Sequence, residues 1–378
     1  MTELQDMTMT RQSDGKTASQ NVLTGWRKAI VLLSVTALAM TSALPAAAQT
    51  IMPRAPDIAG SSYILLDAVT GHVIMESNSQ EALPPASLTK MMTAYIAEVE
   101  IDNGNMNYDD MVFISEKAWR TQGSKTFVDV NSYVRVEDLL RGIIIQSGND
   151  ASVAMAEHIA GSEEAFADLM NQHARALGME NSYFVNASGL DADGNTNLMS
   201  ARDLATLARV KIMEHPAHYA MYSEREFTFN GITQANRNTL LFRDPTVDGM
   251  KTGWTRPAGY CLVASAERDG MRLISVVMGT ANEEARAIET QKMLSYGFRF
   301  FETHKLYDAG EVISSARVWS GKDNSVELGI ADEVLITIPR GRADDLVATL
   351  DTEETIRGGF EAGQVMGQVQ ITLDDDVL

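Results

Sequence analysis

Apolar positions along the chain change period several times, and each change marks an element. Ser62-Tyr63-Ile64-Leu65-Leu66 is a strand-like run, Asp67 to Gly71 carry turn chemistry, and His72-Val73-Ile74-Met75 resumes extended character, which predicts a β-hairpin. Pro84-Pro85-Ala86 stop any strand. From Ser87 the apolar residues Leu88, Met91, Met92, Tyr95, Ile96 and Val99 recur at spacings of three and four, the period of a helix. Residues 137–215 read as mainly helical, with segments at Val136–Ile145, Asp150–Ile159, Ala165–Leu177 and Ser200–Met213. Ser200 is the expected N-cap of the last, and the Gly/Asp/Asn-rich stretch Asn186–Asn197 is a loop.

Strands return at Glu226–Phe229 and Tyr260–Ala266. Arg268-Asp269-Gly270 turns the chain into Leu273–Met278, and Glu283–Phe301 is a long amphipathic helix. Strands at both ends and helices between them predict an α+β domain. After about Lys305, Val326, Leu328 and Ile330 alternate with polar residues. Val334, Ile336 and Ile338, then Val347–Leu350 and Val365–Leu373, do likewise, and this predicts a small all-β domain. The expected division is 1–48 as an address, 49–305 as the catalytic domain and 306–378 as the small β domain, whose last hairpin reads as incomplete.

The address reading rests on Arg27 and Lys28 followed by the uncharged stretch Ala29–Ala48, which ends in Pro45-Ala46-Ala47-Ala48. A cationic flank, an apolar core and small residues at the end predict a secretory signal cleaved after Ala48. A retained membrane helix is the alternative, since about 20 uncharged residues can span a bilayer. The polar n-region is long, so translation starting at Met7 or Met9 is an alternative start. The expected location is outside the cytoplasm, in a bacterial periplasm or cell envelope.

Composition narrows the function. The 378 residues carry 31 Lys and Arg against 51 Asp and Glu, a formal net charge of -20, which argues against nucleic-acid partners. The single cysteine, Cys261, excludes internal disulfides and cysteine-rich zinc sites, and its place in a strand-like run makes it a small core residue. No HExxH, GxSxG or GxxxxGK[ST] pattern is present. His215 and His218 sit at a helix end with no evident third ligand, so they read as surface residues. No metal and no cofactor are expected.

Three short motifs carry chemistry. Ser87-Leu88-Thr89-Lys90 opens a helix and puts a hydroxyl and an amine one turn apart. A serine needs a base to become a nucleophile, and a lysine supplies one if burial and neighbouring cations lower its pKa. Ser147-Gly148-Asn149 lies at a break between helices, where a glycine permits close approach. Lys251-Thr252-Gly253 enters a strand after an Asp248-Gly249 turn. It supplies a cation, a hydroxyl and room for an extended substrate pairing as an added strand. Singly, each could be an N-cap, a loop or a strand edge.

In this order, with about 60 and about 100 residues between them, the three resemble the SxxK, SxN and KTG elements of the penicillin-binding-protein and serine β-lactamase superfamily. Pro85–Thr93 is similar to the active-site helix of low-molecular-mass D-alanyl-D-alanine carboxypeptidases. So are Ser147–Ala151, Gly189-Leu190-Asp191, Ser200–Ala205, Glu226–Gly231, Asn236-Arg237-Asn238, Val247–Gly253 and Gly297–Phe301. The likeness runs from about residue 58 to the end.

The resemblance implies a transpeptidase-like domain, an antiparallel sheet flanked by helices, followed by the small β domain. It implies Ser87 as nucleophile, Lys90 as base, Ser147 and Asn149 in the proton relay, and Lys251 as a cation across the cleft. Ser87 and Trp254 N–H groups would form the oxyanion hole. Lys251, Thr252, Gly253, Trp254, Arg237 and Arg286 would bind substrate, with structural salt bridging as the alternative for the two arginines. The implied substrates are peptidoglycan pentapeptide stems, with β-lactam antibiotics as covalent inhibitors.

Two features depart from the family: Trp254 stands where its best-known members carry His, and the acidic end, Thr372–Leu378, is not an amphipathic membrane anchor. Membrane association is left open. Two other functions share these motifs: a β-lactamase, for which no dedicated Glu base is evident between Ser147 and Lys251, and a penicillin-binding scaffold or sensor with little turnover.

Overall fold

The computed structural model describes residues 52–378 except 192, 193, 195, 322 and 354. The address segment and its cleavage point after Ala48 lie outside the described residues.

The centre of the molecule is a five-stranded sheet. Strands β1 (Ser62–Asp67) and β2 (Val73–Ser77) form the predicted hairpin. Next come α1 (Lys90–Asp102), β3 (Met111–Phe113), α2 (Glu116–Arg120), β4 (Tyr133–Arg135), α3 (Val136–Ile144), α4 (Asn149–Ala160) and α5 (Glu163–Ala176). After α6 (Ala201–Met213) and the short α7 (Pro216–Tyr219), the hairpin β5 (Glu226–Phe229) and β6 (Ile232–Ala235) leads to α8 (Leu240–Arg243). Strands β7 (Val247–Thr255), β8 (Gly259–Arg268) and β9 (Met271–Thr280) and helix α9 (Glu283–Phe300) follow. The order in the sheet is β2-β1-β9-β8-β7, with antiparallel neighbours throughout.

Side-chain alternation splits this sheet between two cores. Ile64 and Leu66 of β1, Cys261 and Val263 of β8, and Ile274 and Val276 of β9 face the large core built by α1, α3, α4, α5 and α6. Their neighbours Leu65, Leu262, Ala264, Leu273 and Val277 face the smaller core under α9. With both faces covered, the strands carry no polar period. That is why they read as unbroken apolar runs.

Two sequence expectations are corrected here. The strand carrying Lys251 begins at Val247, so Asp248 and Gly249 lie inside it, at an irregularity, and form no turn. Asp248 is held in the strand by Arg272 at 2.7 Å and by the Tyr219 hydroxyl at 2.8 Å. His218 is not a surface residue: it is buried, and Asp102 meets both it and His215. The carboxylate is more than 110 residues away in sequence, which hid it.

The C-terminal all-β domain starts with β10 (Phe301–Tyr307), which runs straight on from α9. It contains β11 (Val312–Trp319), β12 (Ser325–Gly329), β13 (Val334–Pro339), β14 (Leu346–Thr352), β15 (Thr355–Arg357), β16 (Gly367–Leu373) and β17 (Asp376–Val377). Ile336, Ile338, Ile371 and Leu373 form its small core. Polar contacts tie it to the first hairpin: Thr303 Oγ1 donates to Asp67 Oδ2 at 2.6 Å, and the Thr70 and Thr337 hydroxyls lie 2.7 Å apart.

Candidate active site

The site forms where the amino end of α1, the α3–α4 junction and the outer strand β7 meet. Ser87 lies in a single 3₁₀ turn, Ala86–Thr89, which runs directly into α1 at Lys90. Pro85 ends the preceding extended chain, and Ala86 takes a left-handed backbone, φ 49°. The loop residue Gly189 packs against this turn. A Cβ placed on Gly189 would stand 1.9 Å from the Ala86 carbonyl oxygen, so no larger residue fits without displacing the turn.

Lys90 is 1% exposed, yet each of its three ammonium protons has an acceptor. Its Nζ lies 3.1 Å from Ser87 Oγ, 2.7 Å from Asn149 Oδ1 and 2.6 Å from the Ser188 carbonyl oxygen. Burial, helped by the Arg237 guanidinium and opposed by Asp150, lowers its pKa to about 7. Near neutrality a substantial fraction of Lys90 is therefore the free amine, which can accept the Ser87 proton instead of donating to it.

Ser147, Gly148 and Asn149 turn the chain from α3 into α4. Ser147 adopts φ 60°, and its buried Oγ has no hydrogen-bond partner among the described residues. Asn149 opens α4 and is held on its other side, Nδ2 donating to the Gln122 carbonyl at 2.6 Å. Asp150, 1% exposed, fastens the loop over this junction by accepting from Thr126 N–H at 2.8 Å and Phe127 N–H at 2.9 Å.

Strand β7 closes the other side. It is the outermost strand of the sheet, paired only with β8 among the described residues, so its second edge is available to an extended ligand. Lys251 and Gly253 share one face of β7. A Cβ on Gly253 would come within 2.7 Å of the Pro85 carbonyl oxygen, so the missing side chain lets the strand lie against the Ser87 turn. Lys251 is 2% exposed, and its Nζ donates to the Thr252 carbonyl at 3.3 Å. Burial and then Lys90, Arg237 and Arg286 push its pKa well below the ordinary value.

Thr252 is buried, whereas Trp254 is 56% exposed and packs its indole on Tyr260 at 5.8 Å between centroids. Arg237 is exposed, with Nε donating to the Gln146 carbonyl at 3.2 Å. Arg286 is buried on α9, over the Tyr260 ring at 5.7 Å. It donates to the Gly253 carbonyl at 3.4 Å and to Glu283 at 2.7 Å. Cys261 is buried in β8, and burial raises its thiol to about 11, which makes it inert.

Eight of the ten residues singled out in the sequence lie on these three elements, while Arg237 lies between β6 and α8 and Arg286 on α9. Two participants were missed: the Ser188 carbonyl, which has no side-chain signature, and Asp150, whose role is visible only through the loop it fastens.

The profile of the D-alanyl-D-alanine carboxypeptidase family matches residues 49–282. The chain belongs to this family. A second profile, the C-terminal domain of penicillin-binding protein 5, matches residues 301–378. Among relatives, the D-alanyl-D-alanine carboxypeptidase DacA of Escherichia coli strain K12 is 44% identical over 335 residues, covering 86% of this chain and 82% of that protein. The D-alanyl-D-alanine carboxypeptidase DacF of Bacillus subtilis is 37% identical, covering 84% and 82%. The crystal structure of penicillin-binding protein 5 from Haemophilus influenzae matches with a TM-score of 0.82 at 42% identity, across 86% of this chain and 96% of that one. The predicted arrangement of a helix-and-sheet domain followed by an all-β domain is therefore the fold of this carboxypeptidase family.

Proposed function

We propose that the chain is a serine-type D-Ala-D-Ala carboxypeptidase that removes the terminal D-alanine from peptidoglycan pentapeptide stems through an acyl-enzyme on Ser87. The carrying observation is the Lys90 amine, 3.1 Å from Ser87 Oγ and brought down to about 7. Neutral Lys90 takes the Ser87 proton as Oγ attacks the penultimate carbonyl. The oxyanion is met by the backbone N–H groups of Ser87 and Trp254. Collapse breaks the peptide bond, and the proton taken by Lys90 returns to the departing D-Ala amine by way of the Ser147 hydroxyl, with Asn149 Oδ1 holding the Lys90 amine in place. Water then hydrolyses the ester and frees Ser87.

The substrate's terminal carboxylate is the anion that suits this cationic site. In a chain of net charge -20, Lys90, Lys251, Arg237 and Arg286 converge locally. A carboxylate arriving beside Lys251 favours its protonated form. The peptide itself lies along the free edge of β7. β-Lactams react by the same attack, their ring opening while the leaving nitrogen stays tethered.

The division into a catalytic part, 49–305, and a β-rich part, 306–378, and export with cleavage after Ala48 belong to the same proposal. Membrane attachment is left out of it; no helix among the described residues is long and apolar enough to cross a membrane. D-Ala release from a pentapeptide by the exported fragment tests the activity. Rapid β-lactam hydrolysis without D-Ala release would make the protein a β-lactamase, and a stable adduct without release would make it a sensor or scaffold. Peptide mass mapping of a benzylpenicillin adduct tests the nucleophile; an adduct on Ser147, or none, overturns Ser87.

A further inference from the structure

We propose that Asp102, His215 and His218 form a binding site for a zinc-class divalent transition-metal ion. Asp102 Oδ2 lies 2.5 Å from His215 Nδ1, and Oδ1 lies 2.8 Å from His218 Nε2. One donor atom from each residue falls within 4.8 Å of the other two. Donors on a tetrahedral zinc are each about 2.0–2.2 Å from the metal, hence roughly 3.3 Å from one another. Each close contact has to open by less than about 1 Å to admit the ion. Two imidazole nitrogens and one carboxylate oxygen suit zinc with a water in the fourth position. They do not suit magnesium or calcium, which take oxygen shells.

The surrounding structure holds the donors in place. Asp102 is the last residue of α1, where the helix carbonyl end favours a cation. His215 precedes Pro216, the first residue of α7, and its ring sits edge-on to Tyr95 at 5.5 Å. His218 is buried, and the Tyr108 hydroxyl bonds its Nδ1, which leaves Nε2 directed at the carboxylate. A partner on the non-ligating nitrogen fixes the tautomer and ring orientation of metal-binding histidines. The Asp102 side chain is 47% exposed, which gives the ion an entry path.

This site is separate from the chemistry. Asp102 is twelve residues along α1 from Lys90, roughly 18 Å at the helical rise. A bound ion would cross-link the far end of the helix that carries Lys90 to the turn between α6 and α7. The effect is on stability, through binding to the folded state alone.

The test uses the exported fragment without a polyhistidine tag, stripped with chelator and titrated with ZnCl₂. One equivalent binds by calorimetry and by elemental analysis, and the thermal midpoint rises with zinc but not with MgCl₂. Cobalt gives visible absorption bands of tetrahedral intensity. His215→Asn lowers zinc affinity at least 100-fold while the metal-free midpoint stays near that of the parent. Tyr108→Phe lowers affinity about 10-fold. Absence of stoichiometric zinc leaves a plain His–Asp–His hydrogen-bond cluster and overturns the proposal. Zinc binding that survives both His215→Asn and Asp102→Asn unchanged places the ion elsewhere and overturns it equally.

Discussion

The Lys90 amine lies 2.7 Å from Asn149 Oδ1, joining the start of α1 to the start of α4 across 59 residues of sequence. Asn149 is a neutral acceptor, so it orients the amine without fixing a charge on it. A carboxylate in its place would hold Lys90 protonated. Asn149→Asp therefore raises the pH at which benzylpenicillin acylation turns on and lowers the rate at pH 7 at least tenfold. A stopped-flow pH series would check this. An unchanged midpoint would show that Lys90 is not the titrating base.

The parent enzyme has its own pH signature. Lys90 is lowered to about 7; with Lys90 as the proposed base, acylation needs the free amine, so the second-order acylation rate should rise between about pH 6 and 8 and then level. Stability carries the same sign. Between about 7 and the ordinary 10.5 the unfolded chain holds a proton that folded Lys90 has shed, so Lys90's contribution to stability rises with pH across that window. Lys90→Met abolishes acylation and flattens that part of the slope. Urea unfolding of both proteins at several pH values would measure the difference.

Much of this was legible in the sequence because chemistry-bearing side chains sit in short ordered motifs. Ser87, Lys90, Ser147, Asn149 and Lys251 could be named as candidates from three ordered motifs and the family they resemble. What could not be read depends on backbone atoms or distant partners. Ser188 acts through a carbonyl, which every residue has. Asp248-Gly249 has turn composition, but Arg272 and Tyr219 hold Asp248 inside a strand. The Asp102–His215–His218 group is assembled by the packing of α1 against the α6–α7 turn, and no local pattern announces it. The buried strands β1, β8 and β9 were readable as strands, but the assignment of their alternate residues to two separate cores was not.

Ser147 separates stability from chemistry. Its left-handed backbone suits glycine better than serine, and its buried hydroxyl has no partner among the described residues. Ser147→Gly should keep the thermal midpoint within a few degrees of the parent or raise it. It should also lower D-Ala release by about 100-fold, as expected when a proton-transfer group is lost. Activity retained by this variant would remove Ser147 from the proton relay.

Gly253 sets the width of the cleft. The 2.7 Å approach of a Cβ to the Pro85 carbonyl means that Gly253→Ala must push β7 away from the Ser87 turn. Displacing a reacting group by about 1 Å can cost about 100-fold in rate. Both peptide turnover and penicillin acylation should fall by about that factor, with cooperative unfolding preserved because the strand stays paired to β8. Acylation at the parent rate would show that the strand's position against Ser87 does not matter.

Arg286 is bonded to the Gly253 carbonyl at 3.4 Å and to Glu283 at 2.7 Å, so it serves the strand as well as facing the cationic cluster. The two roles can be separated by comparing substrates. A strained β-lactam ring supplies its own reactivity, whereas a peptide depends on binding energy to place its carbonyl. A charge-assisted hydrogen bond to the terminal carboxylate is worth roughly 1.5–3 kcal/mol, or about 10- to 150-fold. Arg286→Ala should lower peptide kcat/KM within that range and penicillin acylation by less, while Glu283→Gln, which keeps the guanidinium, should spare both. Equal loss in the two reactions, accompanied by an early thermal midpoint, would assign Arg286 to holding β7 rather than to binding the carboxylate.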